Sequence, residues 1–312
     1  MDIVRIEAPT VEELSAAFEV CKLRFPYLGP LHTRARFEAF QSLGVELFAA
    51  KEGEQLAGTC FVLPCDFQLG GETLRWVCPF QLAARPEAKN IGGLLFLRIS
   101  NAYPAIVTMG ITQEAKHFYR VLGWKRYDDL WRGVHPVRLD RMVEDLEYRI
   151  GQGWQRRVLR AMAGVYNAAG VLVERGLSLG VSRDERGQST SRGCPASRKK
   201  EQVIASYQDV FAVGPSLRCA NVGGFGRVLN SFREGAGGVR QHACMWSDLR
   251  RQGARVCELL IGSTRARRHA VRLGYLPIHM PMFYVDRNGT VEKLIRALRR
   301  DEVSFLHTDK TV

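Results

Sequence analysis

Two stretches of the chain, AIVTMGITQEAKHFYRVLGW at 105–124 and VCELLIGSTRARRHAVRLGY at 256–275, align end to end without a gap. Thr112 meets Ser263, Ala115 meets Ala266, Leu122 meets Leu273, Gly123 meets Gly274 and Trp124 meets Tyr275. Each copy reads as a buried apolar strand, a Ser or Thr suited to cap a helix, one helix, and a Leu-Gly-aromatic exit. At 312 residues the chain is too long for one small core. The repeat therefore predicts two lobes of one architecture.

The residues around the first copy supply the rest of a lobe. DIVRIEA reads as a strand, Pro9 and Thr10 introduce a helix over about 11–23, and a second helix is expected over 33–42. VELFAA, LAGTCFVLPCDFQL and TLRWVCPFQLAA then alternate with turns at Gly53 and at Gly70 and Gly71, as in an antiparallel meander. IGGLLFLRIS has helical character, and Gly123 is suited to end the later helix. An antiparallel meander followed by strand and helix alternation predicts an α+β fold, each lobe a mixed, mostly antiparallel sheet flanked by helices.

The expected organisation is a first lobe over 1–145, a helical connector and polar loop over 146–198, and a second lobe over 199–312. On the connector, Trp154, Val158, Met162, Val165, Tyr166 and Ala169 fall along one side, and the simplest use of that side is packing between the lobes. Beyond the loop, KEQVIASYQDVFAV reads as helix, SLRCANVGG as ambiguous, HACMWSDLRRQGA as helix and HMPMFYV as a closing strand.

No segment approaches the roughly 20 uninterrupted apolar residues that cross a bilayer, and the acidic start MDIVRIEAPTVEEL is unlike a signal peptide, so a cytoplasmic protein is expected. The cysteines at 21, 60, 65, 78, 194, 219, 244 and 257 lack metal-ligand spacing and read as reduced, buried thiols. No metal is expected. Residues 1–145 carry 17 Lys and Arg against 18 Asp and Glu, whereas 146–312 carry 28 against 14. The second half could meet an anionic substrate or partner, nucleic acid included but not favoured, or simply be a solvated basic face.

Two motifs, ARPEAKNIGGLLFLRI (84–99) and TQEAKHFYRVLGW (112–124), resemble those of the GNAT superfamily of N-acyltransferases. The resemblance implies acetyl-CoA or another acyl-CoA as co-substrate. It implies that Lys89, Asn90, Ile91, Gly92 and Gly93 grip the pyrophosphate, since free N–H groups and the positive dipole end of a helix bind phosphate oxygens. The family form has Arg or Gln where Glu87 stands and Gly where Asn90 stands; Asn tolerates the left-handed backbone such a turn needs. In the second motif, Thr112, Ala115, Tyr119, Gly123 and Trp124 match the family pattern, with Thr for Asn. The match assigns Thr112 to the cofactor side and Tyr119 the role of general acid to the departing CoA thiolate, for which a phenol protonated at neutral pH is suited.

A general base is sought among Glu72, Asp66 and Glu46, each of which could equally be a solvated strand residue. Cys78 could form an acyl-cysteine, but without a nearby His it reads as buried. Ala270 occupies the position of Tyr119 in the second copy and has no proton to give, and GGFGRVL (223–229) is not placed as a cofactor loop. One active and one degenerate lobe are expected, acylating a small-molecule primary amine. Tandem lobes also resemble the Fem-type transferases, which use aminoacyl-tRNA, and a non-catalytic binding module is a third reading.

Overall fold

The computed structural model describes residues 1–25, 29, 32–109, 113–141, 154–178, 210–213, 217–222, 225–228, 239–262 and 264–300. The first part runs β1 (Asp2–Ile6), α1 (Val11–Arg24), α2 (Arg34–Ser42), β2 (Glu46–Glu52), β3 (Gln55–Leu69), β4 (Glu72–Ala84), α3 (Ile91–Ala102), β5 (Ala105–Thr108), α4 (Gln113–Val121), β6 (Lys125–Tyr127) and β7 (Trp131–Pro136). After α5 (Trp154–Ser178) come β8 (Val210–Val213), β9 (Leu217–Val222), β10 (Phe225–Val228), α6 (Val239–Arg251), β11 (Val256–Ile261), α7 (Thr264–Arg272), β12 (Leu276–His279), β13 (Met282–Asp286) and α8 (Thr290–Arg299).

Local chemistry sets the early boundaries. Thr10 opens α1 with a capping box: its hydroxyl accepts from the Glu13 N–H at 3.1 Å while the Glu13 carboxylate accepts from the Thr10 N–H at 2.8 Å. Alternation along β2 and β3 then splits the core. Leu47, Ala49, Phe61 and Leu63 face α1, α2 and α8, whereas Phe48, Ala50, Cys60 and Val62 face α3 and α4.

The strands form two sheets, ordered β1-β2-β3-β4-β5-β13-β6 and β12-β7-β11-β10-β9-β8. Read from β8, the second repeats the first without β1, element for element, except that the two closing strands are exchanged. β13 lies between β5 and β6, pairing Phe283 with Thr108 and Arg126, while β7 lies between β11 and β12. The expected division at residue 145 thus follows the chain and not the sheets. The core crosses the same way, since Leu260, Met280 and Met282 of the second half are buried with Tyr127 and Leu130 of the first.

The repeat is visible at the helix exits. Gly123 and Gly274 both adopt positive φ, 73° and 86°, and the Trp124 and Tyr275 N–H groups each donate at 3.0 Å to the carbonyl five residues back, Tyr119 and Ala270. Glycine at these positions meets the left-handed turn at no steric cost.

Several expectations need correction. HMPMFYV is two strands, because the chain breaks at Met280 and Pro281, and its second part closes the first sheet instead of the second. The end of KEQVIASYQDVFAV is strand β8 and LRCANV (217–222) is strand β9, the remainder of both segments lying outside the described residues. On the connector, Val158, Met162 and Val165 are 44, 61 and 71% exposed, so the expected stripe does not pack between the lobes. α5 instead turns its small residues inward: Ala163 is fully buried, and a Cβ on Gly170 would come within 3.4 Å of the Arg250 guanidinium on α6. The polar loop 182–198, Cys194, Thr112 and Ser263 lie outside the described residues. The other seven cysteines are free thiols and buried.

Candidate functional site

β4 and β5 are parallel neighbours joined at a single residue pair, Val77 with Ile106. Two residues on, Pro79 has no N–H with which to extend a ladder, and the strands pair no further. The equivalent strands of the second sheet, β10 and β11, stay paired over Phe225–Val256, Gly226–Cys257 and Arg227–Glu258. Past Val77 the first sheet opens, whereas among the described residues the second stays paired one residue further, through Arg227.

Just past this opening, β4 gives way to the loop that starts α3. Arg85 ties the loop to β3, its backbone N–H donating to the Ala57 carbonyl at 2.9 Å and its Nε to the Leu56 carbonyl at 2.7 Å. Asn90 takes the left-handed conformation, φ 65°, and makes no side-chain cap. No acidic side chain lies in the first turn. The leading amides of α3 are therefore left uncapped at the positive end of the helix dipole. A Cβ on Gly92 would meet nothing nearer than Leu82 Cδ2 at 4.0 Å, so there is open space beside Gly92. Lys89 and Glu87 are both exposed on the same loop.

Tyr119 is buried on α4, with its ring 4.7 Å from Phe96, 4.9 Å from Trp124 and 5.4 Å from Phe283. Burial pushes its phenol well above the ordinary value, against a hydrogen bond with Thr108 at the end of β5 that favours the ionised form. The hydroxyl thus keeps its proton through the neutral range. Ala270, at the matching place in the second lobe, is fully buried and apolar.

The expected bases do not join this arrangement. Glu72 holds Lys293 at 2.6 and 2.8 Å on the surface, and Asp66 is exposed opposite Arg75. Glu72 stands five residues before Val77, about 17 Å along an extended strand. Glu46 belongs to a separate cluster, accepting from Arg5 Nε and from the Tyr103 hydroxyl, each at 2.6 Å. Cys78 is buried, and burial pushes its neighbour Cys60 well above the usual thiol range and Cys21 up to about 11. These are inert, protonated thiols.

Three contributors were missed from sequence. A Cβ on Gly58 would lie 2.5 Å from Ile91 Cγ2, so Gly58 lets the first residue of α3 settle on β3; a glycine inside a strand is the signal for such an approach. Gln81 has φ 51° at a bulge where β3 pairing jumps from Thr59–Ala83 to Phe61–Phe80, and its carbonyl accepts from the Cys21 thiol at 3.3 Å. Thr108, bonded to Tyr119, reads in sequence as one more residue of an apolar strand.

No family model matches the sequence, and no curated protein does. Among solved structures, the chain is similar to an acetyltransferase candidate from Pyrococcus horikoshii, with 9% identity and a TM-score of 0.55 over 99% of this chain and 96% of that one. It is also similar to an N-acyltransferase candidate from Enterococcus faecalis V583, at 13% identity and TM-score 0.49 over 94% and 75% of the two chains. A GCN5-related N-acetyltransferase from Kribbella flavida aligns at 14% identity and TM-score 0.47 over 90% and 71%.

Proposed function

From a chain with the fold of the GCN5-related N-acetyltransferases, in two lobes, we propose an acyl-CoA-dependent transferase that acylates a primary amine at the first lobe. The observation that carries this reading is the opening between β4 and β5, which lies beside the uncapped start of α3, whereas β10 and β11 stay paired over Phe225–Arg227.

The residues present fit an acyl-CoA. The amides of Ile91, Gly92 and Gly93 would hold its pyrophosphate, with the Lys89 ammonium adding charge and the absence of a Cβ at Gly92 allowing close approach. When bound, the acyl-CoA supplies an activated thioester carbonyl. Tyr119 holds a proton for the leaving sulfur, kept in place by burial and oriented through Thr108. Glu72 stands too far down the β3–β4 hairpin to take the amine proton and Asp66 is exposed opposite Arg75, so the reading assigns neither a base role. The opening walls align the reactants, which is where much of the acceleration of such a reaction originates. Calorimetric titration of the full chain with acetyl-CoA tests the reading.

A further inference from the structure

The long helix α5 has two faces, and among the described residues only one of them is packed. Ala163, Asn167 and Gly170 recur four and three apart and make the inner face. Ala163 is fully buried, and Gly170 lies against the Arg250 guanidinium of α6. Asn167 ties the helix to the chain that leaves β7. Its carboxamide oxygen accepts from the Leu139 N–H at 3.0 Å, and its Nδ2 donates to Asp140 Oδ1 at 2.6 Å. Arg138 donates to the other oxygen of that carboxylate at 2.7 Å. These contacts fix which side of α5 turns outward.

The outward side is apolar. Val158, Met162, Val165 and Leu172 are all exposed, Leu172 to 69%. Ala161, Ala168 and Ala169 are exposed between them. At about 100° per residue these positions fill an arc of about 120°, centred nearly opposite Ala163 and Asn167. Exposed Arg157 borders the arc on one side and Tyr166 on the other. No acidic residue occurs in the sequence between Glu147 and Glu174, whereas Arg149, Arg156, Arg157 and Arg160 do. A broad apolar face with a basic border and an aromatic at its edge suits the headgroup region of a bilayer. No described helix is long and apolar enough to cross a membrane, so α5 would lie along the surface.

We infer that the outer face of α5 docks on a membrane surface rich in anionic phospholipid. Met162, Val165 and Leu172 enter the boundary between headgroups and acyl chains, where losing contact with water is favourable. Arg157 stays at the level of the phosphates. The chain carries a net charge of +13, and an anionic surface attracts it. The same charge argues against a second copy as the occupant, because two chains of like charge repel. The arc is also wider than the two-position seam by which paired helices meet.

The test is flotation of the full chain with vesicles of phosphatidylcholine alone and of phosphatidylcholine with about one third phosphatidylglycerol. The expected result is binding to the anionic vesicles, weak binding to the neutral ones, and loss of the difference at about 0.5 M salt. Val165→Asp should lower the affinity for anionic vesicles by about tenfold or more. Its melting temperature should match the wild type, since Val165 is already 71% exposed. Val121→Asp makes the same change of charge at a residue 70% exposed on α4 of the first sheet, and should bind as the wild type does. No binding to anionic vesicles, an undiminished affinity in Val165→Asp, or an equal loss in both variants would overturn the proposal. So would a dimer in sedimentation velocity that Val165→Asp disperses.

Discussion

The ring of Tyr119 lies 5.4 Å from that of Phe283, the planes inclined by 30°. One residue comes from the first copy of the repeat and the other from the closing strand at the far end of the chain. Phe283 is fully buried and its strand pairs on both sides within the first sheet. The side chain proposed to donate a proton is therefore packed in part by the second half.

This exchange predicts that residues 1–145 do not fold alone. Without β13, the strands β5 and β6 lose their shared neighbour, and the apolar surface under Phe283, Met282 and Val291 is uncovered. Far-ultraviolet circular dichroism of the isolated segment should show no cooperative thermal transition. A sharp transition comparable to that of the full chain would contradict the exchange.

Replacing Tyr119 with phenylalanine removes one hydroxyl and keeps the ring packing. Turnover should fall by about 10²-fold or more, as for other losses of a general acid, while the dissociation constant for acetyl-CoA changes little. An unchanged turnover number would refute the acid role.

Gly58→Ala places a methyl 2.5 Å from Ile91 Cγ2 and must displace the start of α3. The expected result is a loss of acetyl-CoA affinity together with a lower melting temperature. Retention of both would mean that the position of the first turn is not set by β3.

His135 stacks on Trp246 with centroids 3.6 Å apart and planes 9° from parallel, and its Nδ1 lies 3.0 Å from the Gly274 carbonyl. Burial pushes its pKa down to about 4 from an ordinary value near 6.5. Between those values the unfolded chain binds a proton that the folded chain refuses, so this contribution is complete above about pH 6.5 and is lost as pH falls toward 4. His135→Phe keeps the stack and should flatten the decline in melting temperature across that window; parallel profiles for the two proteins would count against it.

Much of the first lobe was legible because its signals are local. The Thr10 cap, the glycine turns and the Leu-Gly-aromatic exits each depend on neighbours a few residues away, and the pairing of Tyr119 with Ala270 followed from the repeat alone. The exchange was not legible, since β7 and β13 are short strands beyond the aligned copies, and which sheet accepts them depends on packing that no local pattern records. β6, with three residues, is too short to show a period, and α8 starts after Gly289, its first amides donating to the Asn288 and Asp286 side chains upstream. The site divides the same way. The loop and Tyr119 are motif residues, whereas Gly58 and Thr108 act through strands distant in sequence, and Glu72 looked suitable only because strand length was not yet counted.

The central claim is that the opening between β4 and β5, with the uncapped start of α3, admits an acyl-CoA. Isothermal titration of the full chain with acetyl-CoA should give saturable, one-site binding. Gly92→Asp, which sets a carboxylate where the phosphate would lie in space that the fold leaves open, should abolish that binding without lowering the melting temperature. No detectable heat at millimolar acetyl-CoA, or equal affinity in the wild type and Gly92→Asp, would contradict the claim.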